Sequence, residues 1–94
     1  NKILKLPHIG WNQVQFKNKK NLPLFKNIKN LSHFYFVHSY YACNTNNKNV
    51  IGTTRFGKFV FPSVVAKNNI FGIQFHAEKS SDNGIKMLKN FVKL

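Results

Sequence analysis

Short runs of aromatic and β-branched residues, and one run in which apolar and polar residues alternate, occupy most of the chain. Such runs predict β-strands. The alternating run is "WNQVQF" (residues 11–16), and the others are "HFYFVHSYYA" (33–42), "VIGTTRF" (50–56), "KFVFPSVVA" (58–66) and "IFGIQF" (70–75). Pro62 predicts an edge or a bulge in its strand, because proline cannot donate a hydrogen bond to a neighbouring strand.

The segments between these strands are polar and rich in asparagine. The stretch "KNKKNLPLFKNIKNL" (17–31), which Pro23 interrupts, predicts a loop with a short helical turn around Leu24–Ile28. The stretch "CNTNNKN" (43–49) predicts a turn.

The hydrophobic period changes in the last part of the chain. Ile85, Leu88, Phe91 and Val92 follow the spacing i, i+3, i+6, i+7, which places them on one face of a helix. We predict this helix over roughly residues 82–92.

The stretch "FGIQFHAEKSSDNG" (71–84) joins the last strand to this helix. Ser80 or Ser81 is expected to cap the helix, with Asp82 in its first turn. Residues 70–75 are expected to form a central strand. The fold class is therefore α/β, with several β-strands followed by one C-terminal helix.

Length and composition limit the classes of protein. Ninety-four residues allow one small domain. No run approaches the roughly 18 apolar residues of a membrane span, and "NKILKLPHIG" lacks the apolar core of a signal peptide. The single cysteine, Cys43, excludes an internal disulfide framework and suits a cytoplasmic location.

The net charge of +13 has two interpretations. It suggests a nucleic acid or an anionic surface as a partner. However, 14 of the 15 basic residues are Lys and Asn also occurs 14 times, which is the composition that A/T-rich codons produce. Nucleic-acid readers rely on Arg for bidentate contacts, and Arg55 is the only Arg. Nucleic-acid binding is therefore the less favoured interpretation.

His76 and Glu78 are two residues apart where the last strand ends. In extended backbone, both side chains point the same way. A carboxylate that accepts from one imidazole nitrogen fixes the tautomer and leaves the other nitrogen free to accept a proton. The alternative is a surface pair without chemical consequence. No cluster has zinc-ligand spacing, so no metal is predicted.

Three blocks resemble known sequences. The stretch "GIQFHAEKSSDNGIKMLKNF" (72–91) resembles the C-terminal signature of class I, triad-type glutamine amidotransferases. The stretches "LPHIGWNQV" (6–14) and "FYFVHSYYA" (34–42) are similar to those of one subfamily, the glutaminase subunits of imidazole glycerol phosphate synthase. The resemblance implies that residues 1–94 are the C-terminal half of such a domain, without the half that carries the nucleophile.

The resemblance also implies roles for particular residues. His76 would be the general base, with Glu78 as its orienting carboxylate. Trp11, Tyr35 and Lys79 would lie at the partner interface, where ammonia leaves. No cofactor is implied. His8 and His38 are interpreted as histidines that support the site, and not as metal ligands.

The implied reaction is hydrolysis of glutamine, with the ammonia supplied to a (β/α)8 barrel cyclase subunit in histidine biosynthesis. The partners would be that cyclase, in a heterodimer, and glutamine as substrate. Two departures from the family pattern stand out. Ala77 replaces the proline between the histidine and the glutamate, and Cys43 has no flanking glycines, so it is not the nucleophile elbow. The chain alone would therefore be inactive.

Two alternatives stay open at this point. One is a paralogous glutaminase that supplies ammonia to a sugar amidotransferase in surface polysaccharide synthesis. The other is a basic, non-catalytic nucleic-acid-binding domain, for which the strand-borne aromatic residues would provide stacking surfaces.

Overall fold

The structure, a computed structural model, describes residues 2–17, 23–43 and 47–94, and the side chains of 8–17, 23–38 and 48–94. The strands in these ranges are β1 (Lys2–Gln13), β2 (Gln15–Phe16), β3 (His33–Cys43), β4 (Val50–Phe56), β5 (Phe59–Lys67) and β6 (Ile70–Ile73), and the helix is α1 (Ser81–Val92). Short 3-10 turns lie at Pro23–Phe25, Asn47–Asn49 and Ala77–Lys79. The predicted α/β class, with strands followed by one C-terminal helix, is confirmed.

The strands form two antiparallel sheets. β1 pairs with β3, and β2, β4, β5 and β6 form a second sheet in that order. The strands predicted at 33–42, 50–56 and 58–66 are confirmed with ends within a residue. The helical turn predicted around Leu24–Ile28 begins one residue earlier, at Pro23. The turn predicted at 43–49 lies partly outside the described residues.

The strand predicted at 11–16 is two strands. Val14 separates them, because its N–H donates to Ser32 O (3.1 Å) and its C=O accepts from Leu31 N (3.0 Å). The chain leaves the first sheet at Gln13 and joins the second at Gln15. The Val14 side chain is fully buried. The alternation of buried and exposed residues therefore continues through Val14, and the sequence pattern does not reveal that one strand ends and another begins there.

Pro62 lies in β5, which has a strand on each side. Its neighbour Thr53 pairs with Pro62, whereas Gly52 pairs with Val64, so β5 has one extra residue between them. This irregularity is a bulge. The bulge predicted from the proline is therefore confirmed, and the edge-strand alternative is not.

Aromatic side chains dominate the core between the sheets and α1. Phe16 stacks on Phe25 with 3.8 Å between ring centroids, and Phe34 packs on Phe75 at 4.4 Å. Each fully buried Phe contributes about 1.5–3 kcal/mol through removal of its surface from water. The buried cluster consists of Val14, Phe16, Leu24, Phe25, Ile28, Phe34, Phe36, Phe61, Val64, Phe75, Ala77 and Met87.

The prediction that residues 70–75 form a central strand is wrong. β6 ends at Ile73, and within the described part of the chain it is the last strand of its sheet. Its continuation crosses between the sheets instead, because Gln74 N donates to Ser63 O (2.9 Å) and His76 N donates to Tyr35 O (2.9 Å). The chain therefore passes from β5, which Gln74 contacts, to β3, which His76 contacts.

The predicted helix is confirmed as α1, but the residues that gave its period are not its most buried ones. Ile85, Leu88 and Phe91 are about half exposed, whereas Met87 is buried. Phe91 contacts Phe71 of β6, ring to ring at 6.0 Å. None of the described helices is long and apolar enough to cross a membrane.

Two contacts fix α1 against the rest of the molecule. Asn90 Nδ2 donates to Leu24 O (2.9 Å) and to Lys26 O (2.8 Å), so it binds the loop after β2. At the other end, Gly84 lies against the Ala77 carbonyl group, where a Cβ atom would meet the carbonyl carbon at 2.9 Å. The helix therefore packs on the turn that follows His76.

Candidate active site

His76 and Glu78 form an ion-pair geometry directly after β6. His76 Nδ1 lies 3.0 Å from Glu78 Oε2, and the two side chains are 40% and 62% exposed. His76 has extended backbone (φ −97°, ψ 100°) and precedes the 3-10 turn at Ala77–Lys79. Because the carboxylate only accepts, Nδ1 carries the proton and Nε2 is the acceptor of the neutral ring.

A backbone hydrogen bond at Glu78, together with the hydrogen bond from His76, lowers the pKa of the Glu78 carboxyl group. Both stabilise the ionised form. The site therefore contains a carboxylate that fixes one imidazole tautomer, and an exposed imidazole that can accept a proton through its other nitrogen.

The main chain of His76 is held on both sides. Its N–H donates to Tyr35 O (2.9 Å), and its C=O accepts from Lys79 N (3.1 Å) and from Ser80 Oγ (2.6 Å). Tyr35 N donates in turn to Ser80 Oγ (2.9 Å). The His76 main chain is therefore attached to β3 near the beginning of that strand.

Ser80 or Ser81 was expected to cap α1, and the position of the cap is confirmed but its side-chain hydrogen bond is not. Ser80 occupies the N-cap position of α1, but its side chain makes no capping hydrogen bond. Its oxygen is engaged by His76 and Tyr35 instead. Sequence reasoning missed this role because a serine before a helix has the same local pattern in both cases.

Trp11 and Tyr35 lie opposite each other on β1 and β3. Their rings meet edge to face with 5.7 Å between centroids. Trp11 is 53% exposed. Its exposed ring therefore lies against Tyr35, whose main chain binds that of His76. Ile9 and Val37, the pair two positions along the same two strands, are also exposed. Lys79 is exposed in the turn after His76.

His8 is the centre of a second polar cluster, in the first sheet. It is 3% exposed, and its Nδ1 lies 3.0 Å from His38 Nε2. Its ring stacks between Phe36 (4.8 Å) and Phe56 (4.1 Å). Burial, and then the nearby His38, lower the pKa of His8.

Asn12 fixes the tautomer of His8. Its Oδ1 accepts from Gln13 N (2.7 Å) and its Nδ2 donates to Arg55 O (2.8 Å), which orients the amide. Nδ2 also lies 3.3 Å from His8 Nε2, so Nε2 accepts and Nδ1 donates to His38. His8 belongs to the stretch "LPHIGWNQV" and His38 to "FYFVHSYYA". Only the pairing of β1 with β3 brings the two side chains together.

In the ranges that the structure describes, no group of three or more His, Cys, Asp or Glu residues could hold a metal ion. The Cys43 side chain lies outside those ranges.

The profile of the family "Glutamine amidotransferase class-I" matches residues 2–94. The chain belongs to this family, and the resemblance stated from the three sequence blocks is confirmed.

Curated relatives show which members of this family the chain is similar to. "Imidazole glycerol phosphate synthase subunit HisH" of Methanocaldococcus jannaschii is 52% identical over 92 residues, which cover 98% of this chain and 45% of the relative. The proteins of the same name from Buchnera aphidicola subsp. Acyrthosiphon pisum and Pyrococcus furiosus are 52% and 50% identical, over 97% and 99% of this chain and 44% and 47% of each relative. The chain therefore spans about half the length of the curated relatives it matches.

Proposed function

We propose that the full-length protein is the glutaminase subunit of an imidazole glycerol phosphate synthase. By full-length protein we mean these 94 residues joined to the remaining half that the relatives carry. The observation that supports the proposal most directly is the His76–Glu78 pair, 3.0 Å apart, in a chain of the class I glutamine amidotransferase family.

In the proposed reaction, His76 is the general base and Glu78 orients it and stabilises its positive charge. His76 Nε2 takes the proton of a cysteine thiol, and the thiolate attacks the side-chain carbonyl carbon of glutamine. His76 then gives this proton to the amide nitrogen, the C–N bond breaks, and ammonia leaves a thioester behind. His76 next takes a proton from a water molecule, whose oxygen attacks the thioester carbonyl carbon. The C–S bond then breaks, glutamate is released, and His76 returns the proton to the cysteine thiolate.

The nucleophile of this reaction is proposed to lie in the remaining half of the full-length protein. The one cysteine of the chain, Cys43, is followed by "NTNN" and lacks flanking glycines. A base and an orienting carboxylate without a nucleophile cannot form the thioester. We therefore expect the 94-residue chain alone to have no glutaminase activity.

We propose that Trp11, Tyr35 and Lys79 face the cyclase subunit, a (β/α)8 barrel. Support comes from the exposed Trp11–Tyr35 ring pair and from the main-chain bond between Tyr35 and His76. Ammonia must pass from the base to the partner without meeting bulk water, so partner-facing residues should surround the site. The proposed location is the cytoplasm, which suits a chain with one cysteine.

The other two functions are less well supported. A paralogue for polysaccharide synthesis shares the same glutaminase chemistry, but the relatives are named as imidazole glycerol phosphate synthase subunits. A nucleic-acid-binding domain would leave the His76–Glu78 pair and the family match without a role.

The test is glutamine-dependent turnover of the full-length protein with its cyclase. His76→Ala should reduce turnover by at least the roughly 10²–10⁴-fold that general-base catalysis contributes. Synthesis from supplied free ammonia should continue, which separates loss of the base from loss of the complex. Glu78→Gln should reduce turnover less, because the amide still orients the ring but cannot balance its charge. Normal glutamine-dependent turnover in His76→Ala would disprove the assignment.

A further inference from the structure

Ser80 is a buried hydroxyl group to which the proposed mechanism gives no role. The residue is 1% exposed, and its Oγ donates to His76 O (2.6 Å) and accepts from Tyr35 N (2.9 Å). Together with the bond from His76 N to Tyr35 O (2.9 Å), these contacts close a ring of three residues. We call Tyr35, His76 and Ser80 the clasp.

The clasp fixes both ends of the His76 main chain. Tyr35 O holds the N–H of His76, and Ser80 Oγ holds its C=O. A hydroxyl group can do this because it donates one hydrogen bond while accepting others.

The position of the clasp matters because the His76 side chain is 40% exposed. Side-chain packing covers only part of the ring, so the position of Nε2 depends on the His76 main chain as well as on the hydrogen bond from Nδ1 to Glu78. Loss of the hydroxyl would leave the Tyr35 N–H without its partner, so this part of β3 and the turn would separate or admit water. Misplacement of a catalytic group by about 1 Å can cost about 10²-fold in rate.

We propose that Ser80 is a positioning residue for His76, which holds the base at a fixed distance from β3 so that Nε2 meets the nucleophile in line. The proposal rests on the proposed glutaminase function. It goes beyond that function because it assigns a rate effect to a residue that touches neither glutamine nor the nucleophile.

The experiment uses Ser80→Ala in the full-length protein bound to its cyclase, with kcat and KM for glutamine measured separately. We expect kcat to fall by about 10- to 100-fold, while KM changes by less than about threefold, because the proposed role concerns the base and not substrate binding. Synthesis from free ammonia should stay normal. Ser80→Cys keeps the shape of the side chain, with a somewhat larger atom that is a weaker hydrogen-bonding group, and should give an intermediate kcat.

Ser63→Ala is the matched control. Ser63 is also a buried serine, 2% exposed, and its Oγ accepts a 2.8 Å hydrogen bond from Thr54 Oγ1. This control loses a buried hydroxyl group of the second sheet that makes no contact with His76. It should show a comparable loss of thermal stability but a kcat within about twofold of wild type.

A spectroscopic measurement separates positioning from general damage. In protein with ¹⁵N-labelled histidine, wild-type His76 should show one tautomer with the proton on Nδ1, and Ser80→Ala should show exchange between tautomers. A wild-type kcat in Ser80→Ala would overturn the proposal, as would an equal loss of kcat in Ser63→Ala. If Ser80→Ala does not fold, a wild-type kcat in folded Ser80→Cys would overturn it. Absence of glutaminase activity in the wild type, or full activity in His76→Ala, would instead reject the proposed function.

Discussion

Replacement of Gly84 by alanine should destabilise the full-length protein, although alanine is the better helix former. Gly84 lies in the first turn of α1 with its Cα against the Ala77 carbonyl group. A Cβ atom there would lie 2.9 Å from the Ala77 carbonyl carbon and 2.9 Å from Ser80 Cβ, and closer still to the Ala77 oxygen. Two of these three atoms are backbone atoms, so they cannot move aside as the end of a flexible side chain can.

The magnitude follows from two opposing effects. Carbon atoms pack best about 3.5–4.0 Å apart, so α1 and the turn at Ala77–Lys79 must separate by about 0.6 Å or more. Overpacking of this kind costs about 1–3 kcal/mol, and a backbone obstacle places Gly84→Ala at the upper end. The helix propensity of alanine returns about 1 kcal/mol. The net loss in free energy of unfolding is then about 2 kcal/mol.

Urea denaturation followed by circular dichroism measures this difference. Lys86→Ala, at an exposed position of the same helix, is the control and should change the free energy of unfolding by less than about 0.5 kcal/mol. Because the displaced turn carries His76 and Glu78, Gly84→Ala should also lower glutaminase turnover. A gain of about 1 kcal/mol in stability, as helix propensity alone would give, would refute the close approach of α1 to Ala77.

Three further predictions concern other contacts. The pKa of His8 is lower in the folded protein than its ordinary value of 6.5. The unfolded chain therefore binds a proton first as pH falls. The free energy of unfolding should have its full value above pH 6.5 and should decrease as pH falls below 6.5. Urea midpoints at several pH values test this: His8→Phe should lose part of the pH dependence, and the exposed control His33→Gln should keep it. Asn90→Ala should lower the free energy of unfolding, measured with urea, by about 1–2 kcal/mol, because two loop carbonyl groups lose their donor. Lys89→Ala, the neighbouring control, should change this free energy little. Equal losses in the two variants would contradict the role of the Asn90 amide. Ala77→Pro should leave turnover unchanged and raise stability by about 0.4–1 kcal/mol, because Ala77 begins its 3-10 turn after an extended residue; a lower urea midpoint would show that the backbone there does not suit proline.

The junction between the last strand and α1 could be predicted because two local signals agree there. The hydrophobic period changes from that of a strand to that of a helix, and the i, i+2 spacing of His76 and Glu78 indicates a side-chain pair. The pair forms, but Glu78 lies in the 3-10 turn at Ala77–Lys79 and not in the extended backbone from which the pair was predicted. Both signals depend only on neighbours in sequence. The 3.0 Å pair is therefore the part of the candidate site that the sequence predicted most directly.

The strand boundaries near the N-terminus depend on partners far away in sequence. β1 begins at Lys2, nine residues before the predicted start, although Pro7 interrupts its pattern. The register with β3 shifts between Lys5 and His8, which accommodates a residue without an N–H group. Val14 continues the alternation of "WNQVQF" while its main chain pairs with residues 31 and 32. Periodicity reports which face a residue occupies, but not which strand it pairs with.

The edge position of β6 and the role of Ser80 could not be predicted for the same reason. β6 ends where Gln74 and His76 find hydrogen-bond partners on different strands. Ser80 is separated from Tyr35 by 45 residues in sequence. Only the crossing of the chain between the two sheets makes them neighbours.

Tyr35 has consequences for how this surface can evolve. Its main chain supplies the N–H and C=O that secure Ser80 and His76, and every residue except proline offers the same two groups. Its ring, by contrast, lies against the exposed Trp11. A mutation at position 35 can therefore change the chemistry of this exposed face, while the main-chain hydrogen bonds to Ser80 and His76 remain. A single substitution at position 35 would therefore alter what this exposed face can contact without moving the main chain of His76.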